Sequence, residues 1–186
     1  MKASRFGRGD ELGAMNYVTP VTVRNAIKLV KKGRVFSLSH TLEEGMPVNW
    51  FHQDFLYFTF RSAPEMLDYF SSKFPNKNRI TFTNLRMEMS DHAGTHVDGL
   101  NHAAIGNTFY NGFDTRDLTT TRGTKLGMDT MPPLVSRGVL VNMTLHGRYN
   151  SRVVIYPRDI EDILSRECVA INRGDGVLIY TGWECF

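Results

Sequence analysis

Three of the six histidines and an aspartate lie within eleven residues of this chain, in the segment HAGTHVDGLNH at 92–102. Imidazole nitrogens and carboxylate oxygens bind zinc and similar divalent ions, and catalytic sites usually combine three protein ligands with one open position. His92, His96 and Asp98 supply that number and mixture of ligands. We therefore predict a divalent metal site. Nitrogen and oxygen ligands without cysteine suit zinc, manganese or iron about equally, so the residues leave the ion open.

The spacing of these residues predicts a turn rather than a helix. His92 and His96 are four residues apart, as in helical zinc sites, but Gly94 and the β-branched Thr95 between them are poor helix formers. In an extended chain the side chains of His96 and Asp98 point the same way. Gly94 can then fold His92 back over the same ion, because glycine accepts backbone angles that other residues avoid.

Two neighbours of the predicted ligands have possible roles. Imidazole exchanges protons readily near neutral pH, so His102, if it stays unligated, is a candidate acid/base for a water molecule or a leaving group. A metal ion lowers the pKa of its bound water toward about 7, and this combination predicts a hydrolase. Asp91 is either a hydrogen-bond partner of a ligand or a solvated carboxylate. The alternative for every histidine here is an ordinary structural hydrogen bond, but their density favours metal binding.

Six aromatic side chains lie within twelve residues at 49–60, NWFHQDFLYFTF. Part of that apolar surface must be covered by the core, by another subunit or by a ligand. We predict Trp50, Phe51 and His52 as substrate-binding residues, with core packing or a subunit interface as the alternative. The spacing of His52 and Asp54 is also ligand-like, although it is a less specific signal.

Local patterns predict a single α+β domain dominated by sheet. A capping threonine and a proline begin a helix at Thr19-Pro20, which we expect to end near Gly33. The chain before it, residues 1–18, reads as an irregular extended arm. A second helix is predicted at 157–164. Strands are predicted at 34–42, 80–89, 138–145 and 174–183. His40 follows the first strand and is expected to be structural, whereas His146 either faces the site or lies on the surface.

Composition excludes several classes of partner. The formal net charge is +3, and the basic residues form no dense run, so we do not expect the protein to bind nucleic acid. The longest apolar runs fall far short of the roughly 20 residues of a membrane-spanning helix. The first residues have no apolar segment typical of a secretory signal, so we expect a cytoplasmic protein. Accordingly, Cys168 and Cys185 are interpreted as free thiols.

The motif HAGTHVDGLNH resembles the H-x-G-T-H-x-D-x-x-x-H signature of the metal-dependent cyclase-like hydrolases, which include bacterial kynurenine formamidase and isatin hydrolase. Three further segments are similar to family members: RFGRGDELGAMNYVTP, GRVFSLSHTLEEGMPV and GDGVLIYTGW. The resemblance implies a swivelling β/β/α fold, a homodimer or homotetramer, and hydrolysis of a cyclic or N-formyl amide or a lactone. It also implies zinc or manganese held by His92, His96 and Asp98, with His102 as the acid/base.

Two departures from the family pattern bear on these expectations. Leu100 occupies a position where the signature often has proline. This difference resembles a longer subgroup of the family whose substrates are poorly defined. Relatives also continue beyond the TGW strand to a histidine and a glutamate that complete a second metal position in some members, whereas this sequence ends at Phe186. We therefore expect the C-terminal part of the family domain to be missing and one metal ion, with a second possible. A non-catalytic metal-binding member and an interaction module built on residues 50–60 stay open as alternatives.

Overall fold

The computed structural model describes residues 3–117, 125–146 and 154–183. The helices and strands, in chain order, are α1 (Pro20–Ile27), β1 (Leu56–Arg61), α2 (Ala63–Lys73), β2 (Asn84–Glu88), β3 (Gly138–Asn142), α3 (Pro157–Arg166) and β4 (Gly176–Tyr180). Short 3-10 helices lie at Gly13–Tyr17, Tyr110–Gly112, Thr115–Asp117, Met128–Thr130 and Met143–His146. The chain divides into a larger unit, Met1–Arg34 with Gly99–Phe186, and a smaller unit, Val35–Asp98. The content is mixed α and β, as predicted.

The core of the larger unit is a β3-α3-β4 arrangement. β3 and β4 pair in parallel, with Gly138 opposite Gly176 and Asn142 opposite Tyr180. The alternation of a strand places Val139 and Val141 on one face, and both are buried. The main buried cluster consists of Val141, Met143 and Ile163, with Ile155, Ile160 and Leu164 packed against it. The predicted strands at 138–145 and 174–183 and the helix at 157–164 are thus present, with slightly different ends.

Capping residues fix where the helices of the larger unit begin. At α1 the Thr22 backbone N–H donates to Thr19 Oγ1 at 3.3 Å, and the Thr19 N–H donates to Thr22 Oγ1 at 2.6 Å. The helix ends at Ile27, earlier than predicted, because Leu29 and Val30 donate to carbonyls three residues back, which tightens the chain into turns. At α3 the carboxylate of Asp159 accepts from the Tyr156 N–H at 2.7 Å.

The N-terminal residues fold into turns rather than the extended arm that we predicted. Asp10 accepts hydrogen bonds from the hydroxyls of Ser4 and Tyr110, both at 2.6 Å, and from Asn16 at 2.7 Å. Asn111 accepts from the Ser4 N–H and donates to the carbonyls of residues 7, 8 and 10. Partial burial raises the pKa of Asp10, but the hydrogen bonds lower it by more, so it lies well below its usual range.

The smaller unit contains the antiparallel pair β1–β2, with α2 between the two strands in sequence. Tyr57 lies opposite Met87 and Thr59 opposite Leu85, which gives one apolar face, as the alternation in 80–89 predicts. α2 was not predicted, although Ser62 and Glu65 form a capping box in which the Ser62 N–H donates to Glu65 Oε2 at 2.7 Å.

The strand predicted at 34–42 is wrong: this fully described segment forms no strand. Its alternation suits a sheet, but a strand also needs a neighbouring backbone to pair with. The His40 N–H instead donates to Thr95 Oγ1 at 2.9 Å. Among the described residues, no helix has the length and apolarity required to cross a bilayer. Cys168 is a free, exposed thiol, and Cys185 lies outside the described residues.

Candidate metal centre

The chain leaves β2 and turns sharply before the histidine motif. The Ala93 N–H donates to the Ser90 carbonyl at 3.1 Å, which closes a turn over 90–93. The Ser90 hydroxyl oxygen also accepts from the His92 N–H at 3.3 Å. Ala93 is buried, so the methyl group anchors the turn, while the neighbouring imidazole of His92 is only partly exposed. The strand end and the turn together fix the position of His92.

Gly94 makes the bend that returns the chain toward His92. Its φ is +64°, in the left-handed region that favours glycine. A Cβ at this position would lie 2.6 Å from Leu42 Cδ2, which is closer than real Cβ contacts allow. The Gly94 carbonyl oxygen also accepts from the His96 Nδ1 position at 2.8 Å. The bend that the sequence predicted is therefore present; its backbone angle favours glycine, and a Cβ there would displace the Leu42 side chain.

Three candidate ligand atoms converge beyond this bend. His92 Nδ1 lies 2.9 Å from Asp98 Oδ1 and 3.2 Å from His96 Nε2, and His96 Nε2 lies 3.3 Å from Asp98 Oδ1. Ligands that bind zinc at about 2.0–2.2 Å in tetrahedral geometry are about 3.3–3.6 Å apart. The observed separations are close to this range, with the 2.9 Å pair the shortest. His92, His96 and Asp98 therefore fit a divalent ion in both chemistry and spacing.

Each of the two imidazoles directs one ring nitrogen toward the other candidate ligand atoms. The hydrogen bond from His96 Nδ1 to the Gly94 carbonyl places the proton on Nδ1 and leaves the Nε2 lone pair directed at the other two ligands. His92 presents Nδ1, while its Nε2 lies 3.6 Å from Asp91 Oδ1, too far for a hydrogen bond. Asp91 is 88% exposed, so it contributes a weak, solvent-screened attraction.

Aromatic rings lead from the surface to this group. The rings of Trp50 and Phe51 are 5.3 Å apart and nearly perpendicular, and the centroids of Phe51 and His52 are 4.3 Å apart. The His52 ring then lies 5.4 Å from that of His92. Trp50 is 91% exposed and Phe51 61% exposed. Of the three residues predicted to bind substrate, only His52 has a ring contact with a candidate ligand among the described residues, and Phe51 and Trp50 follow it in the series of ring contacts. Their role stays a prediction.

Sequence reasoning missed Ser90, whose hydroxyl lies 3.0 Å from His52 Nδ1. The two residues are 38 positions apart, so no local pattern could pair them. The serine two residues before His92 was visible as a turn signal, because such hydroxyls accept from nearby backbone N–H groups.

The remaining predicted residues are not members of this group as the described residues define it. His102 belongs to the larger unit, where its backbone N–H donates to the Gly99 carbonyl at 2.9 Å. Asp54 is exposed and is absent from the metal-ligand group found among the described residues. The side chain of His146 lies outside the described part of the chain.

The match to a protein-family model identifies the group to which the chain belongs. Residues 36–186 match the model of the family described as "Putative cyclase". The chain is a member of this cyclase family. The matched region includes every residue of the candidate metal centre. A search of curated proteins finds no match.

A solved structure supports the cyclase assignment. The chain is similar to a crystal structure described as a novel cyclase, with a TM-score of 0.84 and 27% sequence identity over 96% of this chain. The similarity covers 61% of that cyclase, so the chain spans less than two thirds of its length.

Proposed function

We propose that this cyclase-family protein is a metal-dependent hydrolase that cleaves a small amide, cyclic or N-formyl, or a lactone. The convergence of His92 Nδ1, His96 Nε2 and Asp98 Oδ1 within 3.3 Å of one another is the observation that carries the proposal. Family membership supports enzymatic activity. The resemblance of the motif to the formamidase and isatin hydrolase signature supports the reaction class.

The chemistry of the group favours a hydrolytic metal. A divalent ion, zinc or manganese, held by His92, His96 and Asp98 would supply Lewis acidity to a substrate carbonyl and would lower the pKa of a water molecule toward about 7. The Asp98 carboxylate would neutralise part of the charge of such an ion, and the hydrogen bond to the Gly94 carbonyl orients His96 Nε2 toward the other two ligand atoms. Asp98 is half exposed, so small molecules can reach the group from solvent.

Other residues have proposed roles in binding and proton transfer. His102, four residues beyond Asp98, is proposed to take a proton from the attacking water and to give one to the leaving nitrogen or oxygen. Trp50, Phe51 and His52 are proposed to contact the substrate and to exclude water from one side of it. The exposed rings of Trp50 and Phe51 offer an apolar surface for a planar molecule.

We further propose that the protein is a homodimer or homotetramer. Tyr57, Leu85 and Met87 form an exposed apolar face of the β1–β2 pair. A two-stranded sheet is marginally stable by itself, and a second copy of the chain would cover this face. Light scattering on the purified protein is expected to give twice or four times the monomer mass, and a monomer mass at micromolar concentration would reject this assembly.

The function is tested by measuring metal and turnover in the same preparations. The purified protein is expected to bind one zinc or manganese ion per chain and to hydrolyse at least one member of a panel of N-formyl amides, cyclic imides and lactones. His96→Ala is expected to lose both. Full metal content with unchanged turnover in His96→Ala would reject the proposed site, and a stoichiometric metal without any turnover would point to a metal-binding protein that is not a hydrolase.

A further inference from the structure

The Ser90 hydroxyl lies between two histidines. It accepts a hydrogen bond from the His92 N–H at 3.3 Å and lies 3.0 Å from His52 Nδ1. A serine hydroxyl has a single proton and can accept further hydrogen bonds through its lone pairs. With His92 donating to the oxygen, Ser90 still has its own proton to donate to His52 Nδ1 and a second lone pair to accept from it, so the direction follows the tautomer of His52. In the arrangement where Ser90 donates, Nδ1 is the acceptor and the His52 proton is on Nε2.

The His52 ring lies next to the imidazole of His92. The ring is packed between Phe51, with centroids 4.3 Å apart, and His92, with centroids 5.4 Å apart at an interplanar angle of 33°. Its Nε2 is on the opposite side of the imidazole from Nδ1, so it points away from Ser90. His52 is partly exposed and its ring lies beside that of His92, a proposed metal ligand, so His52 is close to the proposed reaction site.

We propose that His52, held in the Nε2–H form by Ser90, donates a hydrogen bond to a second oxygen acceptor of the substrate, such as a carboxylate, while the scissile carbonyl is bound at the metal centre. This inference rests on the proposed function and narrows its substrate class to small amides or lactones that carry another oxygen acceptor. Ser90 is a positioning residue, because it acts on the substrate through His52. A neutral donor adds orientation without a charge that would repel the metal ion.

Binding measurements test the role of His52 independently of turnover. The probes are succinamate and butyramide, which share an amide and chain length but differ in having a carboxylate or a methyl group at the far end. Calorimetry on the zinc-loaded full chain is expected to show that His52→Phe weakens succinamate binding about 3- to 10-fold, the effect of one hydrogen bond. Butyramide binding is expected to change less than 2-fold. His52→Gln keeps a neutral N–H donor and is expected to retain most of the affinity for succinamate.

The role of Ser90 has a readout that does not depend on any ligand. Nitrogen-15 NMR of the histidine rings at about pH 8, where imidazole is neutral, is expected to show His52 protonated at Nε2 and unprotonated at Nδ1. Ser90→Ala is expected to mix the two tautomers and to weaken succinamate binding about as much as His52→Phe, whereas Ser90→Thr keeps the hydroxyl and both properties. Zinc content is expected to stay at the wild-type level in both His52 variants and in Ser90→Thr.

Several results would overturn the inference. They are a His52 proton on Nδ1, an unchanged tautomer in Ser90→Ala, or equal effects of His52→Phe on both probes. Any of these with zinc bound and hydrolysis present would remove the inference and leave the proposed function intact. A protein that binds no zinc would remove both together.

Discussion

His92 Nδ1 lies 2.9 Å from Asp98 Oδ1, and the two side chains are 17% and 51% exposed. A carboxylate and an imidazole held this close, with His96 beside both, form a site whose ligands are already assembled. Little reorganisation is required for an ion to enter, so the binding free energy is available to stabilise the folded chain.

Zinc is therefore expected to raise the melting temperature, and chelation to lower it. At a free zinc concentration 100 times the Kd, the added stability is about 2.7 kcal/mol. Asp98→Asn removes a charged ligand and is expected to weaken zinc binding at least about 10-fold, since loss of a mere partner of a ligand costs about 10- to 100-fold. Asp68→Asn, the same change at an exposed position on α2, is the control and should leave the Kd unchanged. Equal zinc titrations for the two variants would contradict the site.

Gly94→Ala is expected to weaken both zinc binding and folding. Alanine would have to adopt a φ near +64°, at a cost of about 1–2 kcal/mol, and its Cβ would meet Leu42 Cδ2 at 2.6 Å. Gly106→Ala is a matched control, because Gly106 has a φ of +58° with nothing within 4 Å of a Cβ. Urea unfolding should show a larger loss for Gly94→Ala, and Leu42→Ala in the same chain should recover part of it. Equal losses of unfolding free energy in Gly94→Ala and Gly106→Ala would show that the Leu42 side chain moves aside without destabilising the protein.

The Asp10 hydrogen bonds predict a defined pH dependence of stability. The pKa of Asp10 is lowered in the folded state from about 3.9 in the unfolded chain, so its contribution is complete above pH 4–5 and is lost as pH falls toward the folded pKa. Asp10→Asn is expected to destabilise the protein by about 1–3 kcal/mol at pH 7. The difference from wild type should narrow in urea titrations below about pH 4. A difference that stays constant from pH 7 to pH 3 would mean that the charge of Asp10 is not what these hydrogen bonds recognise.

The buried face of α3 is expected to dominate the stability of the larger unit. Ile163 is 1% exposed within the cluster of Val141 and Met143, so Ile163→Ala should cost about 2–5 kcal/mol. Ile105→Ala makes the same truncation at a side chain that is 77% exposed and should cost less than about 0.5 kcal/mol. Chemical denaturation of both variants provides the comparison, and similar midpoints would show that α3 does not pack on β3 in solution.

The parts of the structure that sequence predicted are those determined by neighbouring residues. Thr19-Pro20 marks the start of α1, and the bend at Gly94 brings together ligands only two to six residues apart. The signal for α2 is also local, in the capping residues Ser62 and Glu65. The aromatic residues that precede it suggest a binding or interface surface and hide this signal.

Errors arose where distant residues decide the structure. The alternation of residues 34–42 is typical of a strand, but in the described structure no strand pairs with this segment, and a local pattern cannot show that. The contact between Ser90 and His52 joins residues that are 38 positions apart. The turns of the first residues depend on Tyr110 and Asn111, about a hundred positions away. The role of His102 stays a prediction, because it is inferred only from the position of this histidine in the sequence motif.

The dependence of residues 4–10 on Asn111 has a consequence for biosynthesis. The Ser4 N–H and the Asn111 side chain are 107 residues apart, so the beginning of the chain leaves the ribosome well before its hydrogen-bonding partner exists. At about 5–20 residues per second, this interval lasts about 5–20 s. During that time the Ser4 N–H and the carbonyls of residues 8 and 10 lack the Asn111 partner that they have in the folded chain.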